Sequence, residues 1–205
     1  MGTRREGGRI VVAAGIQALL FDCDGSLVDS MPMHMKAWQE AVESAGAPFD
    51  HEFFFSRAGM SEEEIAREYH ALLGHPLDPV AVVTMKHDRF RLHMRDLKPV
   101  DIVVDIARAH RGRLPMGVVS GGRRDIIEME LQAVGIRDLF DPVITADDNL
   151  PTKPAPDMFL EGARRLHIAP GVCQVFEDGE LGLRAARAAG MVTTDLRPFL
   201  AERQR

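Results

Sequence analysis

The stretch LLFDCDGSLVD, residues 19–29, is an apolar run that ends abruptly in two aspartates, Asp22 and Asp24, with Gly25 directly after them. If residues 16–21 form a strand, side chains two positions apart point the same way, so both carboxylates begin on one side of the chain. Carboxylates so close repel each other, and a bound cation would relieve that repulsion. Gly25 allows the sharp turn that must follow. The pattern indicates a strand that delivers two acidic groups to a metal-dependent site.

Two other interpretations of this stretch are a plain turn after a strand and a calcium-binding loop. The calcium loop needs glycine at its sixth position and glutamate at its twelfth. Counted from Asp22, those positions are Leu27 and Met33, which excludes the calcium loop. The stretch alone does not separate a plain turn from a functional site.

The composition is that of an ordinary globular protein. The chain has 205 residues, of which 45% are hydrophobic and 27% charged, and this length is typical of one domain or of one domain with an insertion. The net charge of −6 argues against nucleic acid as a partner, because a phosphate backbone attracts basic surfaces.

The N-terminal region has arginines ahead of a short apolar run, residues 10–14, and superficially resembles a signal peptide. The run is far shorter than the roughly 20 residues of a membrane span, and cleavage nearby would damage the strand before Asp22. We therefore predict a disordered tail over residues 1–9, no membrane association and a cytoplasmic protein. Cys23 and Cys173 lack metal-ligand spacing and are expected to be buried, reduced thiols.

The chain divides into two patterns of predicted secondary structure. Residues 32–97 show helical spacing without a strand signal, with a helix from a capping box at Ser61 to Gly74 and another that starts at Asp78-Pro79. From Pro99, helices alternate with apolar strands at residues 115–119, 142–146, 172–176 and 191–195. We predict an α/β core over residues 10–31 and 98–205, with a doubly wound parallel sheet, and a small α-helical cap over residues 32–97.

Four predicted strands end in, or lead to, polar residues at what should be one edge of the sheet, where such folds bind ligands. These residues are Asp22 and Asp24, Ser120-Gly121-Gly122, Lys153, and Glu177-Asp178. Taken singly, the later three could be a strand-to-helix turn, a solvated loop lysine and a helix N-cap. Taken together, oxygen ligands suited to Mg²⁺, helix amides, a hydroxyl and an ammonium group indicate a phosphoryl-transfer site.

Over nearly its whole length the sequence resembles the haloacid dehalogenase superfamily of phosphotransferases. The four motifs of that superfamily occur in order: the residues from Asp22 to Asp29, Ser120, the residues from Lys153 to Asp157, and Glu177-Asp178 with the glycines and alanines that follow. The helical insertion resembles the cap of the β-phosphoglucomutase-like subgroup. Residues 31–38, MPMHMKAW, are most similar to the fructose-1-phosphate phosphatase-like branch of that subgroup.

The resemblance implies a role for each aspartate of the first motif. Asp22 would attack phosphorus and become an aspartyl phosphate. Asp24 would protonate the leaving alcohol and then activate water as general base. Dehalogenases and phosphonate-cleaving relatives lack this second aspartate, so its presence leaves a phosphatase or a mutase.

The resemblance also implies a cofactor and a phosphate site. Mg²⁺ would be held by Asp22, the carbonyl oxygen of Asp24, Asp178 and Glu177, which ligates directly or supports the other ligands. The phosphoryl oxygens would be bound by Ser120, Gly121 and Lys153. The expected partner is a small phosphorylated substrate, and we expect a monomer.

Residues of the cap favour hydrolysis over transfer. Mutases of the subgroup carry an arginine where this chain has Glu62, which would repel a second phosphate. We therefore expect a phosphatase of sugar phosphates, with a phosphomutase and a catalytically dead binding protein as alternatives. His34, Lys36 and Lys86 are candidate substrate contacts from the cap, although His34 could also be a surface or hydrogen-bonded core histidine.

Overall fold

The computed structural model describes residues 10–73 and 77–200. The tail predicted over residues 1–9 and the helix end predicted at Gly74 lie outside these residues. In the described part of the chain, five parallel strands form one sheet in the order β3-β2-β1-β4-β5. The strands are β1 Ala18–Phe21, β2 Met116–Val119, β3 Val143–Ile144, β4 Cys173–Glu177 and β5 Val192–Asp195.

Helices cover both faces of this sheet. In the core these are α5 Asp101–His110, α6 Arg124–Ala133, α7 Asp157–Arg165, α8 Glu180–Ala188 and a short α9, Arg197–Leu200. Strand β1 alternates between the two hydrophobic clusters that result, with Leu19 and Phe21 in one and Ala18 and Leu20 in the other. The predicted doubly wound parallel sheet is confirmed. Both cysteines are free and buried, as predicted.

Strand β3 is shorter than the predicted strand over residues 142–146. The backbone N–H of Thr145 donates to Asp148 Oδ2 at 2.8 Å, and Ala146–Asp148 form a short 3₁₀-helix. The side chain of Asp148 thus satisfies a backbone group that would otherwise extend the strand. Helix α9 was not predicted.

The described residues of the cap form four helices, α1 Met31–Ser44, α2 His51–Ser56, α3 Glu62–Leu73 and α4 Pro79–Leu92. The predicted capping box is present, because Glu64 N–H donates to Ser61 Oγ and Ser61 N–H donates to Glu64 Oε2, each at 3.3 Å. Asp78 caps α4 by accepting from the N–H groups of Val80 and Ala81. The sequence pattern after Asp78-Pro79 predicts a helix to about Asp96, but α4 ends at Leu92 and Met94–Asp96 form a 3₁₀ turn.

The cap has a hydrophobic cluster of its own, built around Trp38, Phe54 and Tyr69. The two chain segments that join it to the core lie side by side: Asp29 N–H donates to the Lys98 carbonyl and Val100 N–H donates to the Leu27 carbonyl, each at 2.9 Å. The division into core and cap at residues 32 and 97 remains a prediction, with which this pairing is consistent.

Among the described residues, no helix is both long and apolar enough to cross a lipid bilayer.

Candidate active site

A cavity of about 260 Å³ lies between the cap and the carboxyl ends of β1, β2 and β4. The core side of this cavity carries most of the residues singled out in the sequence: Asp22, Asp24, Ser120, Gly121, Glu177 and Asp178. They meet because parallel strands end at the same edge of a sheet, as the motif order implied. Their catalytic and binding roles remain predictions.

Lys153 reaches this edge from the loop before α7 and is almost wholly buried. Its Nζ donates to Asp22 Oδ1 at 2.6 Å and to Glu177 Oε2 at 2.8 Å. Burial alone would lower the pKa of Lys153, but the two carboxylates raise it above its ordinary value. Lys153 is therefore a fixed positive charge that also orients Asp22.

Asp22, Glu177 and Asp178 form an acidic trio whose carboxylate oxygens lie within 4.8 Å of one another. Burial, together with the charge of Asp22, raises the pKa of Glu177 to about 8 and that of Asp178 to about 7. Burial also raises the pKa of Asp22 itself. The shifts arise first from burial and then from the neighbouring carboxylates, so a bound cation would stabilise the ionised forms. An all-oxygen donor set of this kind fits Mg²⁺.

The backbone around the trio leaves room only for glycine at two places. A Cβ on Gly182 would lie 1.9 Å from Glu177 Oε2. Gly25 has φ +82, and its Cβ would lie 2.4 Å from Asp178 Oδ2. The carboxylates of Glu177 and Asp178 are thus packed directly against main chain, which restricts their orientation. Ser26 Oγ adds a 2.6 Å bond to Asp178 Oδ1.

Asp24 is held by three side chains. Its Oδ1 accepts from Ser30 Oγ and lies close to His34 Nε2, both at 2.7 Å, and its Oδ2 accepts from Ser120 Oγ at 3.2 Å. Burial by itself would raise the pKa of Asp24, but His34 and the hydroxyl of Ser30 bring the pKa below its ordinary value. Asp24 is therefore an oriented carboxylate in this structure.

His34 links the core to the cap. Its Nε2 faces Asp24 and, at 3.0 Å, Glu130 Oε1, while its Nδ1 lies 2.7 Å from Lys86 Nζ. When the Lys86 ammonium donates to Nδ1, the hydrogen of a neutral imidazole lies on Nε2, which then donates toward the carboxyls. Stacking on Phe90, with ring centroids 4.0 Å apart, fixes the plane of the imidazole. His34 thus lies at the predicted site.

Glu130, on α6, was missed by the sequence analysis. It is fully buried, and burial together with the Asp24 charge raises its pKa to about 8, so at neutral pH the Asp24 and Glu130 pair retains one proton. The signal that could have found it is helical spacing: Ile126, Ile127, Glu130 and Leu131 form the buried face of α6, and one member of that face is an acid.

Lys86 does not line the cavity. It is fully buried and donates to Glu62 Oε1, while His87 Nε2 lies against Glu62 Oε2. The expectation of a direct substrate contact is thus replaced by a supporting position behind His34. The expected repulsion by Glu62 is also corrected, because this carboxylate is neutralised by a buried cation and bonded to a histidine.

Lys36 lies outside the cavity as well. Its side chain is exposed and lines a neighbouring depression, outside the cavity that holds Asp22. The cause is helical geometry, because residues two apart on α1 point in very different directions and His34 takes the inward one. Neither lysine is therefore in the position expected of a substrate contact.

Ser120 and Gly121 follow β2 at the foot of the cavity. Ser120 is buried, and its Oγ accepts from Gly122 N–H at 3.0 Å, just before α6 begins at Arg124. A Cβ on Gly121 would lie 2.4 Å from the Gly59 carbonyl oxygen, so at this point the core backbone touches the cap. A hydroxyl and amides beside a helix start suit a phosphoryl group.

Comparison with known proteins agrees with this geometry. Residues 16–190 match the family model of the haloacid dehalogenase-like hydrolases. Fructose-1-phosphate phosphatase YqaB of Escherichia coli (strain K12) is 38% identical over 87% of this chain and 95% of its own length. Validoxylamine A 7'-phosphate phosphatase of Streptomyces hygroscopicus subsp. limoneus is 31% identical over 86% of this chain and 84% of its own.

A solved structure shares this fold. The β-phosphoglucomutase of Clostridium difficile superposes with a TM-score of 0.77, covering 92% of this chain and 99% of its own. Its sequence identity is 20%, so this likeness concerns the fold alone.

Proposed function

Because the chain belongs to the haloacid dehalogenase-like hydrolase family, we propose that it is a Mg²⁺-dependent phosphatase of small phosphorylated metabolites, sugar phosphates above all. The observation that carries the proposal is Asp22: a buried carboxylate held 2.6 Å from Lys153, open to a cavity and adjacent to a second, oriented aspartate. This is the arrangement of a nucleophile with an acid–base partner.

In the proposed reaction a carboxylate oxygen of Asp22 attacks phosphorus. As the bond from phosphorus to the alcohol oxygen breaks, the leaving oxygen takes a proton from Asp24, which belongs to the one-proton pair with Glu130. A water molecule then gives its proton to Asp24 and attacks the aspartyl phosphate. The bond from phosphorus to Asp22 breaks, which releases phosphate and restores both carboxyls.

Asp22, Asp178 and the Asp24 carbonyl would hold Mg²⁺, with Glu177 beside them. When bound, the ion supplies positive charge to the phosphoryl oxygens. Lys153 offsets further charge and keeps Asp22 aimed into the cavity, while Ser120 and the neighbouring amides receive the remaining phosphoryl oxygens. Core and cap residues of the chain line the cavity together.

Hydrolysis is favoured over phosphomutase activity by two observations. The two relatives described above are named phosphatases. In addition, the resemblance implies a phosphate-binding arginine in mutases where this chain has Glu62, and Glu62 is held by Lys86 and His87. A phosphomutase would convert a hexose 1-phosphate into its isomer when primed with a bisphosphate, and we expect no such conversion.

The test is phosphate release from a panel of sugar phosphates, with and without Mg²⁺, by the wild type, Asp22→Asn and Asp24→Asn. We expect metal-dependent release that Asp22→Asn abolishes, together with loss of the covalent phosphate adduct seen by mass spectrometry. Asp24→Asn should keep the adduct and turn over slowly. Asp105→Asn, an exposed change on α5, is the matched control. Full activity in Asp22→Asn would exclude the mechanism.

A further inference from the structure

The cap side of the cavity is an apolar wall. Six side chains form most of it: Met31, Met35, Phe54, Phe55, Met60 and Ile65. They come from α1, α2, α3 and the segment between α2 and α3, and they face the acidic edge where the phosphoryl group would bind. A leaving group in this cavity therefore lies against carbon and sulfur atoms, where an unpaired charge is costly.

The cations near this wall are already engaged. Lys86 is fully buried behind Glu62. Arg57 donates to Glu68 and lies over the Phe53 ring, 3.7 Å from its centroid. Among the described residues, no lysine or arginine of the cap lines the cavity.

Of the core residues that the structure describes, one arginine lies at the rim, Arg197. Its guanidinium donates to both carboxylate oxygens of Asp195, at 2.9 and 2.5 Å, and to Glu180 at 3.1 Å. Two carboxylates thus offset its charge, and three of its donors are occupied. Within the described part of the cap, Glu62 is the only carboxylate that lines the cavity, and it is held by Lys86 and His87.

We propose that the enzyme selects phosphate monoesters whose leaving group is an uncharged alcohol with an apolar face, and that it discriminates against substrates with a second phosphate or a carboxylate. This inference rests on the proposed phosphatase function. The volume of about 260 Å³ lies just below the roughly 300–1,000 Å³ of small-molecule sites, which favours a leaving group no larger than one ring.

The experiment compares paired substrates in which the second member carries an added carboxylate or phosphate. Ethyl phosphate is paired with phosphoglycolate, and fructose 1-phosphate with fructose 1,6-bisphosphate. At saturating Mg²⁺ we expect kcat/KM at least ~10-fold higher for the first member of each pair, corresponding to about 1.4 kcal/mol. Equal or higher kcat/KM for either charged member would overturn the proposal.

Binding separates this proposal from the phosphatase function. Calorimetric titration of the Asp22→Asn variant with the same pairs measures selectivity without turnover. If the variant binds the first member of each pair more tightly but the wild type releases no phosphate, the proposed function is rejected and the selectivity is supported. Equal binding of both members by this variant would reject the selectivity even if phosphate is released.

A variant tests whether the wall is the cause. Phe55 lines the cavity but is 55% exposed, so Phe55→Arg adds a cation at the rim with little effect on packing. We expect it to raise kcat/KM for phosphoglycolate relative to ethyl phosphate at least ~10-fold, because the carboxylate gains a partner. Leu72→Arg, on an exposed face of α3 away from the cavity, is the matched control. If Leu72→Arg raises the ratio of kcat/KM for phosphoglycolate to that for ethyl phosphate as much as Phe55→Arg does, the wall is not the cause of the selectivity.

Discussion

Replacing Lys86 by methionine should destabilise the cap, because it removes the charge that balances a buried carboxylate. Lys86 Nζ contacts Glu62 Oε1 and His34 Nδ1, and it lies 5.2 and 5.8 Å from the ring centroids of Phe90 and Trp38. Methionine has nearly the same length and keeps most of the packing of the side-chain stem. The effect of the substitution is therefore chiefly electrostatic.

The magnitude follows from the burial of the pair. The Lys86 side chain is 0% exposed and that of Glu62 is 11% exposed, so solvent screens the pair little. Removing one partner of such a pair costs about 3–5 kcal/mol in free energy of unfolding. For a protein of this length that corresponds to a fall in Tm of roughly 6–20 °C. Glu62 retains only its bond to His87, which does not replace the lost charge.

The assay is urea unfolding followed by circular dichroism, with a double-mutant cycle. Glu62→Gln with Lys86→Met should cost less than the sum of the single changes, by about 0.5–3 kcal/mol, because the second change removes the charge that the first leaves unpaired. Lys98→Met, an exposed change, should stay within about 0.5 kcal/mol of the wild type. A Lys86→Met protein as stable as this control, or strict additivity in the cycle, would refute the reasoning.

Two further predictions concern the metal edge and the buried acid. Gly182→Ala places a Cβ 1.9 Å from Glu177 Oε2, so we expect a loss of about 1–3 kcal/mol in stability and weaker Mg²⁺ binding by calorimetry; Gly171→Ala, with open space around its Cβ, should change neither. Glu130 has its pKa raised from 4.5 to about 8, so the folded protein holds a proton that the unfolded chain has released. The contribution of Glu130 to stability should therefore fall as pH rises from 4.5 to 8, by up to ~1.4 kcal/mol per pH unit, and Glu130→Gln should show a shallower fall in urea midpoints across that range than the wild type. An unchanged slope in Glu130→Gln would contradict the assignment of this proton.

The sheet and its acidic edge were predictable because both depend on local pattern. Alternation along β1 sends Leu19 and Phe21 to one face, and the break at Asp22 marks the end of the strand. The starts of α3 and α4 were also predicted correctly from Ser61 and Asp78. Their N-capping hydrogen bonds join residues only two or three positions apart.

The interior of the cap was less predictable because it depends on distances across the chain. Lys86 meets Glu62 and His34 through the packing of α4 on α1 and α3, and nothing in the sequence near Lys86 distinguishes a buried lysine from one that points into a cavity. Glu130 meets His34 across 96 positions. Lys36 was predicted to contact the substrate but lies outside the cavity. The direction of a helical side chain changes by about 100° per residue, so a position near His34 in sequence need not face the same way.

Because the two segments that join cap and core are paired, the inserted helices begin and end at neighbouring places on the core. An insertion whose ends meet can be exchanged for another of different length without redirecting the surrounding chain. Asp22, Lys153, Glu177 and Asp178 lie outside that insertion, whereas the apolar wall lies almost wholly within it. The part of the protein that determines which molecule is accepted can therefore diverge during evolution, while the part that breaks the phosphate ester remains the same.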